Sequence, residues 1–182
     1  MSNVGDNIKA DRGNWSFGGE VANTFDDHVS KSVPLYFEGH QLIKDLSDFF
    51  VKSGSTVYDV GCSTGTLLAA LADHHKDTNN CNFIGLDIEQ PMIDNAKKKY
   101  KDKKNIDLKV ENVLETEFEK TDLVICYYTI QFMRTSARQD LINKIYKSLN
   151  WGGAFIMFEK VRASDARFQD IMTSLYNEYK LL

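Results

Sequence analysis

Five short apolar runs, over residues 56–60, 82–86, 106–110, 122–127 and 154–159, alternate with segments in which apolar residues recur every three or four positions. The runs are rich enough in Val, Ile, Leu and Phe to be buried on both faces, as strands of a parallel sheet are. Most of the segments between them read as helices. Pro91 sits where a first helical turn tolerates proline, and Met92, Ile93, Ala96 and Tyr100 form an apolar stripe behind it. Leu141, Ile142, Ile145, Tyr146 and Leu149 form another stripe, which Trp151-Gly152-Gly153 closes. A last helix opens at Ser164-Asp165 and carries Phe168, Ile171, Met172, Leu175, Tyr176 and Tyr179. Such alternation winds right-handedly into an α/β fold, a doubly wound, mainly parallel sheet of Rossmann-like order.

Upstream, residues 1–18 lack periodicity and are expected to form a flexible arm. Val21, Phe25 and Val29 then recur at helical spacing. Val33-Pro34 interrupts that helix, because proline disfavours helical geometry in the residue before it. Leu42, Ile43, Leu46, Phe49 and Phe50 continue a second helix to Ser53-Gly54. Residues 19–182 therefore read as one domain, with 19–53 as a helical lid. A chain of 182 residues, 42% apolar, suits a single core.

The net charge of -4 gives no basic field for nucleic acid or anionic membrane, which favours a small-molecule substrate. The cluster KKKYKDKK over residues 97–104 fits a solvated helix end, where cations favour the dipole. There is no apolar stretch of membrane-spanning length and no leader-like run near the start. Cys62, Cys81 and Cys126 show no CxxC spacing and fall in or beside apolar runs. Buried free thiols in a reducing cytoplasm fit them best. No metal constellation is evident, since His74-His75 ends a helix without an acidic partner at ligand spacing.

The first strand runs straight into Asp59-Val60-Gly61-Cys62-Ser63-Thr64-Gly65 and then a helix carrying Leu67, Leu68 and Leu71. In a doubly wound sheet, ligands bind beyond the carboxyl ends of the strands. Glycines at 61 and 65 let the backbone turn tightly there, and the helix behind them offers free N–H groups. The dinucleotide fingerprint needs glycines where this chain has Ser63 and Thr66. What remains, an acidic residue and then Gly-x-x-x-Gly, is closer to an adenosylmethionine loop. Asp87 closes the second strand about twenty residues on, where a carboxylate can accept both ribose hydroxyls. Ile88 follows it at the same edge. A solvated turn aspartate is the plainer alternative for Asp87, and a turn or cap for Asp59, whose carboxylate would otherwise face the ligand's ammonium. Asn112-Val113 follows the third strand, where an amide and an N–H can read an adenine edge, although asparagine is also an ordinary turn residue. Tyr127-Tyr128-Thr129-Ile130-Gln131-Phe132 follows the fourth strand, where aromatic rings either surround a sulfonium or fill core.

These residues resemble one family, the carboxy-S-adenosylmethionine synthases. The matching stretches are Phe25-Asp26, Ser32-Val33-Pro34-x-Tyr36, Val57-Tyr58-Asp59-x-Gly61-Cys62-Ser63-x-Gly65, Pro91-Met92-Ile93, Thr129-x-Gln131-Phe132 and Arg138-Gln139. Lys144-Ile145-Tyr146, Leu149-Asn150-x-Gly152-Gly153-Ala154 and Glu159-Lys160 complete them in order. The resemblance implies a methyltransferase-like fold that binds adenosylmethionine and, with prephenate, makes a carboxylated sulfonium used to modify a wobble uridine of transfer RNA. It implies that Tyr36 reaches into the site, with Gly61, Cys62 and Ser63 around the ligand's amino-acid end and Asp87 on its ribose. With Tyr127 on the acceptor side, the candidate set is Tyr36, Tyr127, Asp59, Gly61, Cys62, Ser63, Gly65, Asp87, Ile88, Asn112 and Val113.

The chain departs from the family in three places. Asn112-Val113 stands where the family has aspartate-isoleucine, Tyr127 stands where it has asparagine, and its carboxylate-binding arginine lies downstream of Leu182. Arg134, Arg162 and Arg167 do not match that position. The departures leave open ordinary methyl transfer to a small acceptor, with adenosylmethionine itself as the bound form, or a truncated, non-catalytic relative that keeps the ligand. The family's last two strands also fall beyond Leu182, so the run 154–159 is expected to present a bare edge. An edge of that kind invites pairing, so either the natural chain continues, or a second subunit or the N-terminal arm covers it, and a homodimer is the expected assembly.

Overall fold

The computed structural model describes residues 2–3, 9–11, 14–16 and 21–181. Strands β1 (Ser2–Asn3), β2 (Lys9–Asp11) and β3 (Asn14–Ser16) pair antiparallel in a small sheet. The sequence pattern predicts no regular structure there, because strands this short carry no alternation to register. The rest of the expected arm lies outside the described residues.

Helix α1 (Val21–Ser32) stops before Pro34, and α2 (Tyr36–Ser47) begins after Leu35, which holds a left-handed φ of 57°. Then follow β4 (Thr56–Val60), α3 (Thr66–His74), β5 (Asn82–Asp87), α4 (Gln90–Lys99), β6 (Ile106–Val110) and β7 (Thr121–Tyr127). A 3-10 turn over Ile130–Phe132 leads to α5 (Thr135–Ser148), β8 (Leu149–Phe158) and α6 (Ala166–Leu181). The main sheet is parallel throughout and ordered β6-β5-β4-β7-β8, so its direction of winding reverses between β4 and β7.

Residue alternation along the strands builds two cores. Val57, Phe83, Leu108, Leu123 and Ile125 face one side, where Ile43 of α2, Leu68 and Leu71 of α3 and Ile93 of α4 cover them. Tyr58, Val60, Ile84, Leu86, Val124 and Cys126 face the other, against Leu141 and Ile145 of α5. All three cysteines are buried free thiols.

One boundary differs from the sequence reading. Leu149 and Trp151-Gly152-Gly153 belong to β8 rather than to the end of the helix before it. The strand bulges against β7 between Thr121 and Leu123, with Gly152 at φ 81°. A Cβ on Gly153 would stand 2.9 Å from the Asp122 carbonyl, so glycine marks close backbone approach here and not a helix stop. Among the described residues β8 pairs with β7 alone, and Met157 and Trp151 on it are exposed. Helix α6 buries no residue, but its Tyr176 and Tyr179 hydroxyls donate to the carbonyls of Ser32 and Ser30 at the end of α1.

Ile43 is fully buried and seats α2 on the sheet. Ile43→Ala should lower stability by about 2–5 kcal/mol, seen as a lower urea midpoint with an unchanged slope.

Candidate active site

A cleft of about 1730 Å³ opens at the carboxyl ends of β4, β5 and β7, at the reversal of strand order. Small-ligand pockets commonly span about 300–1,000 Å³, so this one has room for a nucleotide-sized ligand and a second reactant. Helices α1 and α6 supply its outer wall through Phe25, His28, Val29, Ser32, Met172 and Tyr176.

The glycine loop forms the floor. Gly61 and Gly65 take left-handed φ values of 76° and 73°, and Ser63 follows at 49°. The N–H groups of Gly61 and Cys62 both donate to the Leu86 carbonyl, at 2.7 and 3.0 Å, which ties the loop to β5. Thr129 crowds Gly61 from the far side, since a Cβ there would meet the threonine side chain at 2.5 Å. The threonine is fixed in turn by donating to the Val60 carbonyl at 2.7 Å.

Asp87 fastens the same loop from β5. Its Oδ2 accepts the Ser63 N–H at 2.8 Å and its Oδ1 accepts the Glu89 N–H at 2.9 Å. Burial raises its pKa, partly offset by those two N–H donors. A carboxylate has about four acceptor sites on its two oxygens, so each Asp87 oxygen keeps capacity for a ligand hydroxyl. Asp59, two strand positions before Gly61, is buried, lines the cleft, and has an Oδ2 with no hydrogen-bond partner. Burial, and then the nearby Asp87 charge, push its pKa up to about 7. An unpaired carboxylate in such a place is costly, and a cation in the cleft would complete it.

The other candidates divide between the cleft and local structure. Ile88 is exposed at the rim, and Val113 and Leu114 line the wall while packing on the second core. Asn112 borders the cleft, but its amide is engaged in its own turn: Oδ1 accepts the Leu114 N–H at 3.1 Å and Nδ2 donates to Glu115 at 3.0 Å. Cys62 is buried, and burial raises its thiol pKa well above the ordinary value, which keeps it protonated. Tyr36 and Tyr127 meet at the cleft wall with ring centroids 5.2 Å apart. Burial raises both phenols, so both stay neutral. The Tyr127 hydroxyl donates to the Tyr36 carbonyl at 2.6 Å, and its ring also packs on His40, Tyr128 and Phe158. The aromatic segment thus both walls the cleft and fills core.

Two acidic residues were given no role by sequence reasoning. Asp26 of α1 accepts hydrogen bonds from Thr64, Thr66 and Lys99. Glu159 accepts the N–H groups of Ile130 and Gln131 at 2.6 and 3.0 Å and so fixes the turn after β7. The only sequence signal for either is membership of the matching stretches. His74 does have an acidic neighbour, brought by folding from the end of α2: Asp48 Oδ1 lies 2.7 Å from its Nε2. Donor atoms of Asp48, His74 and His75 gather within 4.8 Å, and His75 Nε2 bonds Ser47 Oγ at 2.7 Å, clamping α2 to α3.

Residues 57–153 match the family described as methyltransferase domain. The chain is 37% identical to the carboxy-S-adenosyl-L-methionine synthase of Staphylococcus epidermidis over 172 residues, which covers 92% of this chain and 72% of that protein. It is 38% identical to the protein of the same name from Campylobacter lari over 167 residues, 91% of this chain and 70% of that one. A SAM-dependent methyltransferase from Aquifex aeolicus superposes with a TM-score of 0.60 at 16% identity, covering 87% of each chain. The N-methyltransferase NodS from Bradyrhizobium japonicum, solved with S-adenosyl-L-homocysteine, superposes with a TM-score of 0.57 at 22% identity, covering 68% of this chain and 61% of that one. These two likenesses speak for the fold alone.

The Asp59 carboxyl has a folded-state pKa near 7 against an ordinary 3.8. Between those values the folded protein holds a proton that the unfolded chain has lost, so this group's contribution to stability falls as pH rises from about 4 to 7. Asp59→Asn removes the loss. The ligand-free variant should melt above the wild type at pH 8, with the gap closing towards pH 4 in paired thermal scans.

Proposed function

We propose, from the premise that this chain belongs to the carboxy-S-adenosyl-L-methionine synthase family, that it binds adenosylmethionine in this cleft and carboxylates its sulfonium methyl group. The observation that carries the reading is the buried, unpartnered Asp59 oxygen beside the strapped Asp87 carboxylate. Together they offer one anionic site for an ammonium group and one doubly accepting site for ribose hydroxyls. Asp59 faces the ligand's amino group in this reading, and the loop at Gly61, Cys62, Ser63 and Gly65 follows its amino-acid end. Asp87 takes the ribose, while Ile88 and Val113 flank the base with Asn112 shaping their turn. Tyr36 and Tyr127 border the acceptor side.

The bound group supplies a sulfonium whose charge acidifies its methyl C–H bonds, so that the methyl loses a proton as the carboxyl group joins it, and the protein's part is to position and desolvate it. The family resemblance points to prephenate as the source of the carboxyl group and to transfer RNA wobble-uridine modification as the use of the product. Neutral tyrosines suit a chamber that must exclude water without adding charge beside the reacting carbon. No helix among the described residues is long and apolar enough to cross a membrane. The buried free thiols support a reducing compartment, the cytoplasm. Among the described residues the outer edge of β8 is unpaired, which supports a homodimer.

Native mass spectrometry of the purified protein, followed by ligand release, should yield carboxylated adenosylmethionine. Release of adenosylmethionine or its demethylated product alone would favour ordinary methyl transfer. Asp87→Ala should weaken adenosylmethionine binding by about 10- to 100-fold in calorimetry, the scale of lost hydrogen bonds to a charged group. Sedimentation should give a dimer, and a monomer at micromolar concentration would remove the assembly proposal.

A further inference from the structure

Helix α1 walls the cleft with Phe25, His28, Val29 and Ser32. Among the described residues, Ala22 of α1 clusters with Met92 of α4, with Phe25 packed against them, beside the two cores that sandwich the sheet. Polar bonds do much of the fastening. Asp26 Oδ1 accepts from Thr64 Oγ1 at 2.6 Å, and its Oδ2 accepts from Thr66 Oγ1 and Lys99 Nζ, both at 2.9 Å. Thr64 lies inside the glycine loop, Thr66 opens α3 and Lys99 ends α4. Burial would raise the Asp26 pKa, but the bonds from Thr64, Lys99 and Thr66 outweigh it and hold the carboxyl below its ordinary value. One ionised carboxylate thus joins the outer wall of the cleft to the loop that forms its floor.

We infer that Asp26 is a positioning residue, a latch that couples the seating of α1 to the conformation of the glycine loop. Thr64 sits between Ser63, whose N–H is held by Asp87, and Gly65, whose left-handed turn starts α3. A pull on Thr64 is therefore a pull on the backbone that faces the ligand. Coupling between sites is reciprocal: whatever a seated α1 adds to ligand affinity, a bound ligand adds to the seating of α1. The latch rests on the reading of this cleft as an adenosylmethionine site, and it requires no contact between Asp26 and the ligand.

The test pairs calorimetry of adenosylmethionine binding with limited trypsin digestion at Lys31, whose side chain is 76% exposed on α1. In the wild-type protein, adenosylmethionine should slow cleavage after Lys31. In Asp26→Ala, affinity should fall about tenfold, within the usual range for coupled sites, and the ligand should no longer protect Lys31. Asp26→Asn, which keeps an acceptor oxygen, should restore part of both. Thr64→Val reaches the same bond from the other side, keeps the inference testable if Asp26→Ala does not fold, and should add less than its full effect in the double variant. Wild-type affinity and protection in Asp26→Ala would overturn the latch alone. A wild-type protein that binds no adenosylmethionine would overturn the reading of the cleft instead.

Discussion

The bond from the Ser63 N–H to Asp87 Oδ2 is the contact on which the site depends. It joins the loop after β4 to the end of β5, and it holds that loop through three left-handed residues, Gly61, Ser63 and Gly65. Serine in that region carries a steric cost that glycine does not, so the conformation needs an outside hold. Asp87 supplies it, and the two loop N–H groups on the Leu86 carbonyl add to it. The second Asp87 oxygen meets the Glu89 N–H just ahead of α4, so one side chain orders the loop and the start of the next helix. Parallel strands make this economical: β4 and β5 end side by side, and functional groups following each meet without long connections.

Around that floor, the wall is built from elements that contribute little to the main cores. Helix α2 is anchored by Ile43, whereas α1 and α6 hold each other through Tyr176, Tyr179 and the carbonyls of Ser32 and Ser30. Segments with few buried apolar contacts and many polar fasteners are the ones that open at low free-energy cost. A cleft between a rigid sheet and such a wall can admit a ligand and then exclude water from it.

The strand and helix order was legible in the sequence because the central strands β4, β5 and β7 are nearly continuous buried apolar runs and most helices show a single stripe. The outer strands β6 and β8 are largely part-exposed, so the expectation of burial on both faces holds only at the centre of the sheet. The Val33-Pro34 break was legible for the stereochemical reason that proline imposes. The bulged start of β8 was not, because Trp151-Gly152-Gly153 has the composition of a helix stop, and only the approach of Asp122 shows why glycine is needed. Of the site, Asp59, Gly61, Ser63 and Asp87 could be placed at strand ends by position alone. Asp26 and Glu159 could not be given roles, since their partners lie far along the chain. Asp48 beside His74 was hidden for the same reason.

What the sequence by itself determined is therefore local: where strands end, where the backbone must turn left-handed, and which carboxylates follow which strand. Periodicity and the steric demands of glycine and proline act over a few residues, so they can be read without the fold. Tertiary structure alone decided the state of those groups. It left one oxygen of Asp59 buried and unpartnered, and turned the Tyr127 hydroxyl onto the Tyr36 carbonyl. Burial and hydrogen-bond pairing depend on neighbours from distant parts of the chain, and those neighbours exist only once the sheet has formed.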